Sequence, residues 1–339
     1  MIATISTIVA SIVIFSLMVF SHEFGHFITA KKAGVKVEEF SIGMGPKIVS
    51  WRRDDTGYSL RAFPIGGYVK MLGEDGYAEG EGSFHNKSVG KRLGILMAGP
   101  VMNILLAIVL FSIIFFALGT PTTVVDSVMK DYPAQAAGIR PGDRVVGIDD
   151  IRVNSWDRLQ SVISTFEGER MKVSVSRDRE MLSFSVAPIT DDQTGQRVIG
   201  ITPRFEKSII ASVRTGVTRS FSVIWLMVTY LSDLVTGSAS PGEVVGAVGI
   251  VQLVNEAAKT GILNLMFLAA FLSLNLGVIN LLPIPALDGG RIVFLLIEGL
   301  RGKPIDIEKE GLIHFIGFVF LILLIIVITW NDISKINLF

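Results

Sequence analysis

The chain has 339 residues, half of them apolar and only 18% charged, with 31 basic residues balanced by 31 acidic ones. Soluble domains carry roughly 25% charged residues, so the composition points to a membrane protein; zero net charge with no basic stretch among aromatics argues against nucleic acid as a partner. Cysteine is absent, which rules out disulfides and thiolate metal sites and leaves histidine, aspartate and glutamate as candidate ligands.

Residues 1–21 contain no charged side chain, and at about 1.5 Å per residue they are long enough to cross a hydrocarbon core of about 30 Å. A signal peptide fits poorly, because no basic segment precedes the run and no small-residue cleavage pattern comes after it. The run leads instead into "HEFGH", residues 22–26. On a helix His22 and His26 share one face and can bind one ion while Glu23 reaches a bound water, as in hydrolytic zinc sites. A chance match at a polar helix end is the alternative.

Residues 27–92 form a loop rich in strand signals. Within it "YSLRAFPIGGYVKM", residues 58–71, alternates in part and carries Gly66 and Gly67 where a bend or close backbone approach is plausible. Lys31, Lys32 and Lys36 follow the first span, and Lys87, Lys91 and Arg92 lead into the second. The excess of basic residues places this loop in the cytoplasm and the N-terminus outside.

A second span is expected over 93–120, within the uncharged run Leu93 to Val125. Residues 121–206 change character: short strand patterns around Gly138, Pro141 and Gly142, a helical "WDRLQSVISTF" and the alternating "MKVSVSRDREMLSFSVAP" argue for a compact, mostly β domain with one or two helices. Its "AGIRPGDRVVGIDD" resembles a PDZ domain, a module that binds extended peptides by adding a strand to a sheet edge. In 207–261 the uncharged run Ser220 to Ser232 is too short to span. It reads as an amphipathic helix on the outer surface, with "VVGAVGIVQLVNEAAKTG" as a second; packing against the PDZ-like domain is the alternative.

The third span, 262–298, includes the uncharged run Ile262 to Leu287 and then Asp288. A cytoplasmic loop over 299–310 carries Arg301, Lys303 and Lys309, a fourth span covers 311–330, and a tail over 331–339 lies outside. A catalytic zinc usually takes three protein ligands. His85 and His314 have no acidic partner nearby and read as a loop histidine and an interfacial one. Asp288 in "NLGVINLLPIPALDGGR" is the stronger candidate, since an ionisable side chain near such depth is functional by default and Pro283 and Pro285 break the helix before it. A helix N-cap is the alternative role for it.

"HEFGH", "AGPVMN" (98–103) and "NLLPIPALDGGR" (280–291), with "FSIGMGPKI" and "FPIGGYVKMLGE" between the first two spans, together resemble the site-2 protease family of intramembrane zinc metalloproteases, nearest the bacterial regulator-of-sigma-E protease type. The resemblance covers nearly the whole chain. It implies a polytopic α-helical membrane protein of four transmembrane helices, with a membrane-associated β-hairpin region and one inserted extracytoplasmic PDZ-like α+β domain. It implies His22, His26 and Asp288 as ligands of Zn2+, Glu23 as general base, and Asn280 as a contact to the substrate backbone. The activity implied is cleavage of transmembrane segments of single-pass proteins, such as anti-sigma factors or signal peptide remnants, in a bacterial plasma membrane, with the site toward the cytoplasmic face. The sigma-E type carries two PDZ domains and this chain has room for one, so that pathway's partners are not carried over; the PDZ-like domain either binds or excludes extracytoplasmic segments. Unwound substrate backbone in lipid needs new hydrogen-bond partners, and the strand around Gly66, Gly67, Tyr68 and Val69 is expected to supply them, unless it is an ordinary cytoplasmic hairpin. An inactive membrane chaperone or adaptor and a metal-ion transporter remain as alternative classes.

Overall fold

The structure, a computed structural model, describes residues 5–74, 80–191, 194–238 and 245–335. It divides the chain into two compact units, Met1–Ile114 with Gly216–Phe339, and Phe115–Thr215.

The first unit opens with helix α1 (Ile5–Lys32). The zinc-type motif lies inside this helix rather than beyond it, because nothing in "HEFGHFITAKK" breaks a helix; Lys31 and Lys32 suit its C-terminal dipole and Gly34, at φ +74°, comes just after it. The chain then forms the long antiparallel pair β1 (Val37–Arg53) and β2 (Thr56–Met71). Residues 37–42 are paired on both sides: Phe40 faces Val69 and Tyr58, and Ser41 faces Tyr68 and Ser59. Residues 67–71 therefore form an outer edge. The sheet's polar knot is Glu39, which accepts hydrogen bonds from Ser59 and Arg61 and pairs with Lys47.

Helix α2 (Val89–Leu118) begins four residues before the expected span over 93–120 and stops two before its end, since Gly119 sits at φ +83° and Pro121 is close behind. The second unit begins there, with β3 (Thr120–Val128), α3 (Pro133–Ala137), β4 (Arg144–Ile148), β5 (Ile151–Arg152), α4 (Trp156–Ser164), β6 (Met171–Arg177), β7 (Glu180–Val186), β8 (Ile189–Thr190), β9 (Arg197–Val198) and β10 (Ile201–Glu206). Its main sheet runs β10-β3-β4-β6-β7, with β5 on β4. Period-2 alternation drives Met171, Val173 and Val175 of β6 into a core with Val125, Val145, Ile148 and Leu159. Asp143, buried beside that core, accepts from Arg177 at 2.7 and 2.8 Å.

The first unit resumes in α5 (Ile209–Thr236), a continuous helix of 28 residues, far longer than the thirteen-residue run expected. Its Gly216 approaches Ser112 and Ile108 of α2 closely, while Phe221, Trp225 and Leu226 are exposed. Helix α6 (Ala247–Thr260) packs on α1 and on the two elements α7 (Ile262–Leu281) and α9 (Ile307–Lys335). Its first turn is capped from α9: the Asp332 carboxylate accepts from the Gly246 amide at 3.2 Å and the Gly249 amide at 2.9 Å. The stretch expected as one span over 262–298 is two helices, α7 and α8 (Asp288–Arg301): the extended Leu282 before Pro283 ends the first, and Pro285 and a left-handed Ala286 (φ +76°) lie in the break before the second. Of the expected tail 331–339, residues 331–335 continue α9 and 336–339 lie outside the described residues. Among the described residues four helices are long and apolar enough to cross a membrane, within α1, α2, α7 and α9.

Candidate metal centre

One turn apart on α1, His22 and His26 bring their Nε2 atoms to 3.2 Å. Each ring is steered by α2. His26 Nδ1 lies 2.8 Å from the Ile95 carbonyl oxygen; since a carbonyl only accepts, the imidazole donates from Nδ1 and turns a bare lone pair on Nε2 inward. His22 Nδ1 lies 3.3 Å from the side-chain amide nitrogen of Asn103, a fully buried residue whose Oδ1 has no partner among the described residues; with that amide turned over, Oδ1 accepts from Nδ1–H and leaves Nε2 free for a metal. Outer partners of this kind fix which ring nitrogen is free for a metal.

The two helices approach closely through glycines. A Cβ on Gly25 would overlap the Ala98 carbonyl oxygen, and one on Gly99 would overlap His26 Nε2 and stand 2.8 Å from His22 Cε1. Small residues allow such backbone approach between membrane helices.

Asp288 arrives from the break between α7 and α8. Its Oδ2 lies 3.2 Å from His22 Nε2 and 3.5 Å from His26 Nε2, buried and with no other hydrogen-bond partner among the described residues. The N-cap of α8 is Leu287 and no side chain caps that end, which removes the capping role considered for Asp288. Gly289 and Gly290 let the turn close, since a Cβ on either would collide with backbone atoms of residues 281–285.

Three electron-rich atoms thus converge on one point and call for a cation. In a tetrahedral zinc site with bonds of about 2.0 to 2.1 Å, donor atoms stand about 3.3 to 3.4 Å apart. The separations here, 3.2, 3.2 and 3.5 Å, fit that geometry. Among the described residues this is the metal-type cluster found.

The remaining expected site residues divide into two groups. Gly67 lies beside Glu23, whereas Gly66, at φ +83°, turns toward Met44. Tyr68 is engaged through its hydroxyl by Arg61, and the Val69 side chain is buried in a core with Phe40, Met71 and Ile95. The Val69 side chain is therefore closed to a ligand, while Tyr68 is partly exposed. Asn280 is half-buried in the last turn of α7 and makes no side-chain hydrogen bond among the described residues. Sequence reasoning missed Gly25, Gly99 and Asn103. The signal was an asparagine within an otherwise uncharged span, four residues after a glycine.

Burial alone would raise Glu39, but hydrogen bonds involving Lys47, Ser59 and Arg61 bring it down from 4.5 to about 2. The hairpin beside the metal centre is therefore tied by an ionised carboxylate.

The family described as Peptidase family M50 matches residues 10–324. A relative from Clostridium acetobutylicum is 39% identical, covering 96% of this chain and 97% of its own. Zinc metalloprotease RasP of Geobacillus kaustophilus is 33% identical over 99% of each chain, and the regulator of sigma-W protease RasP of Bacillus subtilis 34% identical over 98% of this chain and 100% of its own. Among solved structures, the PDZ domain of an SdrC-like protein from Listeria monocytogenes covers 24% of this chain and 87% of its own at 25% identity, with a TM-score of 0.23.

Proposed function

The chain belongs to peptidase family M50, and from that premise we propose that it is a zinc-dependent endopeptidase cutting peptide bonds within transmembrane segments of single-pass membrane proteins. The observation that carries this reading is the convergence of His22 Nε2, His26 Nε2 and Asp288 Oδ2 in zinc-like spacing on membrane-type helices, with Glu23 on the same turn. A bound zinc supplies a water of lowered pKa and polarises the scissile carbonyl.

The chain's own residues do the rest. Ile95 and Asn103 hold the imidazoles with Nε2 inward. Glu23 takes the proton of the attacking water and passes it to the leaving amine. Asn280, whose side-chain amide makes no hydrogen bond among the described residues, donates to the substrate backbone or the developing oxyanion. The outer edge of β2 around Gly67 offers backbone groups to an unwound substrate beside Glu23.

The basic residues around the spans support a cytoplasmic position for the hairpin and an extracytoplasmic one for the β unit, in a bacterial plasma membrane. That unit reads as a PDZ-like domain, supported by its topology: β10 is the outermost strand of its sheet, and a cavity of about 270 Å³ is lined by Trp156, Leu159 and Ile163 of α4 and by Ile199, Gly200 and Ile201. An extended peptide added to β10 would set an apolar side chain there. The substrate enters after its outer domain has been trimmed.

The test is to co-express the wild type and Glu23→Gln with single-pass proteins lacking their outer domains. Uncut fragments should accumulate only with the variant. Equal fragment levels with both proteins would remove the protease reading in favour of an adaptor or a transporter.

A further inference from the structure

The turn that delivers Asp288 has one backbone donor that leaves it. Pro283 and Pro285 have no N–H; Leu282 donates to Ile279, Ile284 to Leu282 and Leu287 to Ile284, all internally. The Ala286 amide instead donates across to His314 Nδ1 on α9 at 2.8 Å. Ala286 is also the strained residue of the turn, at φ +76°, a conformation that L-residues adopt only when their surroundings enforce it.

His314 is arranged for this task at a cost. Because Nδ1 accepts, Nε2 carries the proton, and that atom is buried with no hydrogen-bond partner among the described residues, 3.9 Å from the nearest Glu310 oxygen. One turn further on, a Cβ at Gly317 would stand 2.7 Å from the Pro285 carbonyl oxygen, so α9 presses its backbone against the same turn.

We propose that His314 is a positioning residue for the metal centre, holding the left-handed Ala286 amide and thereby the carboxylate of Asp288, two residues on, opposite His22 and His26. The inference rests on the zinc reading above. Without the acceptor the turn relaxes toward an ordinary backbone conformation and carries Asp288 away from the histidines.

The test uses the purified full chain in lipid nanodiscs, with zinc affinity measured by competition against a chromophoric chelator and the visible spectrum of the Co2+-loaded protein read alongside. Wild type is measured first: absence of zinc binding there sinks the zinc reading itself. Given binding, His314→Leu should weaken zinc affinity about ten- to a hundredfold, the range for lost outer partners of metal ligands, and alter the Co2+ spectrum. His314→Asn, whose Oδ1 can stand where Nδ1 stood, should restore both to within about threefold of wild type. Wild-type affinity and spectrum in His314→Leu, or equal loss in both variants, overturns the assignment.

Discussion

Gly67 lies against Glu23: a Cβ on this glycine would stand 3.2 Å from the glutamate Cγ, 3.0 Å from Val19 Cγ1 and 2.9 Å from the Ser41 carbonyl oxygen. The edge of β2 and helix α1 therefore touch where a side chain cannot fit. Gly67→Val should push the strand edge off α1 and lower cleavage about a hundredfold, the cost of misplacing a reacting group by roughly 1 Å. Zinc content, measured by metal analysis, should stay at the wild-type level, because no ligand is touched.

Glu23→Gln should bind zinc normally and fail to cleave, since an amide cannot serve as a base yet leaves the three donors in place. Asp288→Ala should lose both properties. Wild-type zinc content and turnover in Asp288→Ala would show that the three-atom cluster is not the working site.

A methyl group should be as damaging as loss of a ligand at Gly99, where a Cβ would overlap His26 Nε2. Gly99→Ala is expected to abolish zinc binding while every ligand remains. Asn103→Ala, which frees the His22 ring, should weaken zinc affinity about ten- to a hundredfold. Chelator competition on the two purified variants ranks them against wild type.

For Asn280 the expectation is the reverse. Asn280→Ala should retain zinc and lose roughly ten- to a thousandfold in turnover, as when one positioned donor is removed from a reacting centre. Zinc loss in proportion to activity would make the residue structural.

These expectations differ in how far the sequence alone supports them. His22, Glu23 and His26 are legible because one helical turn fixes their geometry within five residues. Asp288 is legible as an ionisable group after a proline break at membrane depth. Gly99, Asn103 and His314 act on atoms reached only through tertiary contact between α1, α2, α8 and α9, and no local period encodes such a meeting. The ends of the spans misread for a related reason: hydropathy marks what is apolar, whereas Gly119 ends α2 through its backbone conformation and Pro283 ends α7 by holding Leu282 in extended backbone.

Acid should loosen the hairpin. Glu39 sits at about 2 in the folded protein against an ordinary 4.5, so its ionised form favours the fold fully above about pH 4.5, and this contribution is lost as pH falls toward 2. Trp51, stacked on Tyr58 in the same sheet, reports it in a chain whose other tryptophans are replaced by phenylalanine. Its fluorescence should change through that window in wild type. Glu39→Gln, with no charge to lose, should show a weakened hairpin and a flat profile over the same range.

The cap that Asp332 places on α6 has a bearing on how the last helix tolerates change. From Phe318 to Val327 nearly every large side chain of α9 is exposed, while Asp332 near its end fastens the first turn of α6. Helix α9 thus behaves as a peg held near its two ends. Along the shaft any apolar residue long enough to meet lipid will serve, so Ile, Leu, Val and Phe should exchange there freely; shortening the shaft by even a single residue would rotate Asp332 by about 100° around the axis and unfasten α6.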